Sequence, residues 1–227
     1  MSATVNIFPF LLHTTAAAVM VYGYLNLPDM VANVPMHNMK GGHFQFLTIQ
    51  GLCVACITMV LSIGCDLFPF SKLLRAAKRA FLMSALPLAV VISVIYWTLL
   101  LCMPHMILMG PPNSEREPSS SSTLPEPERL PLQLDLALHA APAIALIVDF
   151  YSFEDKYTKF VSRYGSLILA SALGTWYACW VEYCASYNGM FPYPFLTNSP
   201  FNVRVAIYAG ASLFAAVSFM VINALHP

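Results

Sequence analysis

The sequence predicts an all-α, polytopic membrane protein: a bundle of six transmembrane helices forming one domain over residues 1–227. Three observations predict it. Hydrophobic residues make up 58% of the chain and charged residues 10%, with a mean hydropathy of +0.66, far from the balance of a soluble globular protein. Apolar runs long enough to cross a bilayer, roughly 17–25 residues each, recur along the chain. None of them alternates with the period of two that marks a barrel strand, and in lipid a helix pairs every backbone polar group within its own segment.

The runs lie at about 5–27, 44–65, 81–103, 132–148, 165–184 and 203–225. The first has no basic leader and no small-residue cleavage site followed by polar sequence, so it is read as a retained helix rather than a signal peptide. The fourth is short and carries Asp135 and His139, which are costly at membrane depth, so a five-span reading stands beside the six-span one. Charge favours six. Lys72, Arg75, Lys78 and Arg79 follow the second run and Lys156, Lys159 and Arg163 follow the fourth, so seven of the eleven basic residues sit in two loops that only an even count places on one side. By the positive-inside rule that side is cytoplasmic and so are both termini, which leaves loops 28–43, 104–131 and 185–202 outside. The chain is expected in the endoplasmic reticulum or plasma membrane.

The stretch PPNSEREPSSSSTLPEPERLP, 111–131, is too rich in Pro, Ser and Glu to enter a bilayer or build a core, and reads as a flexible outer loop. No internal repeat, heptad array or soluble domain is evident, and a net charge of zero offers nothing to nucleic acid. The six cysteines lie almost entirely within spans, where they serve as apolar filler, and Cys53-Val-Ala-Cys56 lacks the soluble context of a redox motif.

The informative residues are therefore the polar groups inside spans: His13, Gln45, Thr48, Gln50, Asp135, His139 and Glu182, with Asp149 and Arg204 at helix ends. At a rise of about 1.5 Å per residue, Thr48 lies roughly 9 Å below a helix start near Gly42, and His139 roughly 12 Å below one near Pro131. Both helices enter from the outer side, so a hydroxyl and an imidazole are expected at matching depth, as a nucleophile and its base require. Plainer roles remain open for each. Thr48 can bond its own i−4 carbonyl or join two helices, His139 can be a packed core histidine, and Asp135 can be a solvated interfacial acid rather than an orienter of His139 one turn later.

Other chemistries lack their motifs. The chain has no G-x-S-x-G elbow, P-loop, H-E-x-x-H or dinucleotide fingerprint, so no cofactor is expected. His13 and His139 belong to opposite halves of the membrane and do not suit a haem, and His37, His43, His105 and His226 do not form metal-ligand spacing, so no metal is expected.

KGGHFQFLTIQGL at 40–52, DLALHAAPAIALIVDF at 135–150 and NGMFPYPFL at 188–196 resemble, in order and spacing, the family of the androgen-induced protein and the androgen-dependent TFPI-regulating protein. The resemblance covers essentially the whole chain. Its Ser/Pro-rich loop 111–131 is longer than in animal members, which suggests a fungal relative. The family implies a six-span threonine hydrolase cleaving fatty acid esters of hydroxy fatty acids, with Thr48 as nucleophile and His139 as base. On that reading Asp135 is a possible orienter and Gln45, three residues from Thr48, a possible oxyanion donor. The expected partner is a lipid substrate within the bilayer. The competing reading is a non-enzymatic transporter or sensor of a small lipid that uses the same polar residues. The aromatic segment from Trp176 to Phe195 reads as an interfacial belt or a roof over a lipid pocket, and Glu182 and Arg204 as a clamp across it.

Overall fold

The computed structural model describes residues 7–28, 30–31, 34–108 and 129–227, and the fold is all-α. Helices α1 (Ile7–Leu25), α2 (Leu47–Leu67), α3 (Lys72–Cys102), α4 (Leu132–His139), α5 (Ala141–Phe153), α6 (Ser166–Asn188), α7 (Pro194–Thr197) and α8 (Phe201–Leu225) follow in order. A two-residue antiparallel pair, Met30–Val31 with Val34–Pro35, is the only sheet among the described residues. Most of loop 111–131 lies outside the described residues.

Among the described residues α1, α2, α3 and α8 are long and apolar enough to cross a bilayer, and α4 with α5, bent by 42°, makes either a broken fifth span or a re-entrant loop. Helix α6, at 23 residues, has the length of a span but carries serines, tyrosines and Glu182 that lower its apolarity. The fourth run is thus not one straight helix. It breaks at Ala140, because Pro142 in the first turn of α5 has no N–H for the carbonyl of Leu138 and its ring crowds the preceding turn. The third helix also begins earlier than expected, and Lys72, Arg75, Lys78 and Arg79 are helical rather than in a loop. Lys78 is buried, which is tolerable only because two carboxylates receive it.

Helix α3 is the central element, in contact with α2, α4, α5, α6 and α8. Gly51 lets it approach α2 closely, since a Cβ there would run into the side chain of Ile92. Met59, Leu82, Leu86, Leu146 and Phe150 fill the core where α2, α3 and α5 meet. At one end of the bundle a buried ionic cluster joins four helices. His13 Nδ1 lies 2.6 Å from Asp66 and its Nε2 2.8 Å from Asp149, while Lys78 reaches Asp149 and Glu154 at 2.8 Å each and Arg79 reaches Glu154 at 2.9 Å. The same end gathers the last turn of α8, where Asn223 holds both backbone groups of Tyr157 and His226 meets the carbonyls of Phe150 and Glu154. Thr48 and His139 belong to the opposite end.

Candidate active site

The start of α2 is shaped by glycines. Gly41 and Gly42 have φ of 84° and 48°, a left-handed region open to glycine at little cost, and they turn the chain into a short 3-10 helix, Gly42–Gln45. A Cβ on Gly41 would lie 2.7 Å from Sγ of Cys184, so the turn also sits tightly on α6. Phe46 is extended, and α2 proper begins at Leu47. Thr48 therefore stands in the first turn of α2 rather than a turn and a half inside it. Gln45 is cut off from the Thr48 face by that extended residue. It is fully buried, with its amide directed to Met39 Sδ and Asn188, so the premise that made it an oxyanion donor is not met.

The first N–H groups of a helix have no partner inside it. No side chain next to α2 caps them; the cap comes from a distant segment. The Tyr193 hydroxyl accepts the Leu47 N–H at 3.0 Å and also meets the N–H and the side chain of Thr48. Its ring is fixed edge-on against Phe46 and stacks on Phe195. Tyr177, buried on α6, meets the Tyr193 hydroxyl and donates to the carbonyl of Gln45 at 3.3 Å. Burial pushes the Tyr193 phenol above its ordinary pKa, so it carries its proton.

The hydroxyl of Thr48 escapes the usual fate of a membrane hydroxyl. Thr14, Thr58, Ser62 and Ser212 each donate to the carbonyl four residues earlier, at 2.7–2.8 Å. Thr48, second in α2, has no such carbonyl: Phe44 lies before the extended Phe46, and its carbonyl accepts from Gln50 Nε2 at 2.8 Å and Trp180 Nε1 at 2.9 Å. Thr48 instead faces a cavity of about 450 Å³ between α2, α3, α6 and α8. The cavity wall on α3 runs from Ala80 to Tyr96, sixteen steps or about 24 Å of helix, so the space is long and narrow. Its lining is mostly apolar, with polar groups from Thr48, Gln50, Tyr96, Tyr177, Tyr193, Tyr208 and scattered serines.

His139 closes α4 and is buried, with Nδ1 2.8 Å from the Asp135 carboxylate one turn earlier. Asp135 is buried too, so it is a partner of His139 and not a solvated helix-start acid. The imidazole stacks flat on Tyr96, with ring centroids 3.4 Å apart, and Tyr96 also bonds to Asp135. Helix α2 packs against α4. Among the described residues no hydrogen bond joins Thr48 to His139 directly, and Tyr96, not His139, is the member of this cluster that lines the cavity with Thr48.

Sequence reasoning passed over Tyr96 and Tyr177. Their signal was faint: a phenol near a span end suggests an interfacial anchor first. The structure divides the aromatic segment between both readings. Tyr183 and Tyr187 are exposed, as a belt requires, Trp176 is exposed yet borders the cavity, and Tyr177 and Tyr193 line it. Arg204 grips Glu182 with two nitrogens, at 2.6 and 2.8 Å, and Tyr208 donates to the same carboxylate, so the anticipated clamp forms.

Comparison with known proteins gives a family and relatives that are membrane proteins. Residues 8–227 match the family described as FAR-17a/AIG1-like protein. Two curated relatives are similar over nearly their full length. The UPF0641 membrane protein PJ4664.05 of Schizosaccharomyces pombe is 25% identical over 218 residues, covering 96% of this chain and 90% of the relative. The UPF0641 membrane protein YHR140W of Saccharomyces cerevisiae is 23% identical over 225 residues, covering 93% and 88%. No solved structure matches the chain. With a family match that runs from the first described helix to the last residue, and with fungal membrane proteins as relatives, this chain belongs to the FAR-17a/AIG1-like family.

Proposed function

We propose that the protein is an intramembrane lipid-ester hydrolase with Thr48 as nucleophile, acting on fatty acid esters of hydroxy fatty acids. One observation carries the reading: Thr48 stands in the first turn of α2, where no carbonyl of its own helix lies four residues back, and it meets Tyr193 and lines a long apolar cavity. The cavity suits the substrate class, because a narrow hydrocarbon-lined space takes an acyl chain and offers little to a polar ligand. His139, held through Nδ1 by Asp135, keeps Nε2 for the proton of Thr48.

The chemistry balances without a cofactor. Thr48 Oγ bonds to the ester carbonyl carbon as His139 Nε2 takes its proton, giving a tetrahedral oxyanion. The oxyanion collapses, the bond to the alkoxide of the hydroxy fatty acid breaks, and His139 returns the proton to that oxygen. Water then attacks the acyl-threonine with His139 again as base, releasing the fatty acid and restoring Thr48. Thr48 and His139 must come together during turnover, directly or through one water, which requires the Tyr96 ring between His139 and the cavity to shift; catalytic hydrogen bonds commonly tighten only around substrate. In this reading the basic end carrying Lys78, Arg79 and Lys156 is cytoplasmic, and water reaches Thr48 from the outer side of an endoplasmic reticulum or plasma membrane.

Membranes containing the wild-type protein should react with a fluorophosphonate hydrolase probe and release fatty acid from such esters. Thr48→Ala should lose both, with turnover down to about a thousandth or less. Saturable lipid binding with neither labelling nor turnover would instead identify a transporter or sensor.

A further inference from the structure

Thr48 occupies the first turn of α2, where backbone N–H groups commonly serve an oxyanion directly. Here they are already taken. The Leu47 N–H donates to Tyr193 Oη at 3.0 Å, and the Thr48 N–H meets the same oxygen. A phenol has lone pairs to accept with and one proton to give. At rest the Thr48 and Tyr177 hydroxyls meet the same phenolic oxygen; once Thr48 has lost its proton and bonded to the ester carbon, the Tyr193 O–H can turn to the oxygen that forms beside it. The positive end of the α2 dipole falls on the phenolic oxygen, and hydrogen bonds in series polarise one another. Its position is firm, between Phe46 and Phe195 with Tyr177 at its hydroxyl. It also lines the cavity.

On the strength of this juxtaposition, and resting on Thr48 as nucleophile, we propose that Tyr193 is a catalytic residue that donates its phenolic proton in a hydrogen bond to the oxyanion formed on Thr48. The tetrahedral carbon is bonded to Thr48 Oγ, which places its charged oxygen beside the Tyr193 hydroxyl. Tyr193 relays the field of the α2 amino end to that oxygen and keeps its proton throughout, so no group transfer is added to the cycle.

The test uses the full chain in detergent micelles or lipid nanodiscs with an ester of a hydroxy fatty acid. Tyr193→Phe should lower kcat about 10²- to 10³-fold with KM within about twofold, the signature of a donor used only in the transition state. Because the phenol also caps α2, a second variant replaces Tyr193 with a ring-fluorinated tyrosine of lower phenol pKa. A cap needs only lone pairs, which the phenolate retains, whereas a donor needs the proton. The alkaline limb of the kcat profile should therefore move to lower pH by about the difference in acidity between the two phenols. The proposal is overturned if Tyr193→Phe keeps kcat within about threefold of wild type while Thr48→Ala is inactive, or if the fluorinated protein shows an unmoved alkaline limb. Wild-type turnover in Thr48→Ala would remove the nucleophile and the donor role together.

Discussion

Asp135 Oδ1 lies 2.8 Å from Nδ1 of His139, one turn apart on a helix that ends at the histidine. The contact is buried and sets which imidazole nitrogen carries the proton and which is left as acceptor. Asp135→Asn keeps the shape but can stabilise the wrong tautomer. It should lower kcat by about 10²-fold or more while the protein stays folded and its KM changes little. Steady-state kinetics on the purified variant would check this, with unchanged kcat as the contrary result.

Thr48 is half-buried and touches Tyr193, so a change of shape and a loss of hydroxyl must be separated. Thr48→Val keeps the branched shape and removes the nucleophile. It should abolish probe labelling with no loss of thermal stability beyond about 1 kcal/mol. Thr48→Ser retains an oxygen and should keep labelling, at a rate reduced because the unbranched side chain is less confined at χ1. Equal labelling of the valine and wild-type proteins would point to another nucleophile.

The cavity runs down α3 and α6 between small residues, Ala170 among them. Ala170→Phe should block the space partway along. Selectivity in apolar pockets is worth about 1–3 kcal/mol for a poorly fitted group. Accordingly, kcat/KM for esters of long acyl chains should fall about tenfold or more, while short-chain esters are hydrolysed as before. A uniform loss across chain lengths would mean that acyl chains do not lie there.

Lys78 neutralises Asp149 and Glu154 in the ionic cluster at the far end, where Asp149 Oδ2 already lacks a partner among the described residues. Removing one member of a buried pair leaves the others uncompensated. Lys78→Met should destabilise the protein by about 3–5 kcal/mol, read as a lower thermal midpoint in detergent, with turnover per folded molecule unchanged. Loss of turnover in fully folded protein would tie this cluster to the chemistry.

Much of this was legible before any contact was known. Composition and the spacing of apolar runs are local properties, and the bilayer converts them into helices, because only a helix pairs the backbone within one segment. The same physics makes Thr48, Asp135, His139, Glu182 and Arg204 conspicuous, since polar groups at membrane depth need a reason. The i,i+4 spacing of Asp135 and His139 already implied a shared face, and the structure closes that pair at 2.8 Å. Contacts between distant segments were not legible. Gln45 looked like a neighbour of Thr48 on a continuous helix, but an extended Phe46 intervenes. Tyr193 read as an interfacial anchor, yet it caps a helix that begins 146 residues earlier. Trp180 reaches across from α6 to the Phe44 carbonyl, and Tyr193 meets the Thr48 side chain at the cavity wall. The sequence by itself determined a membrane-embedded helical chain and which polar residues it must accommodate, because burial in lipid acts on each segment separately. Only the tertiary structure decided which of those groups meet, because each hydrogen bond is awarded by competition among donors and acceptors that packing brings together from separate helices.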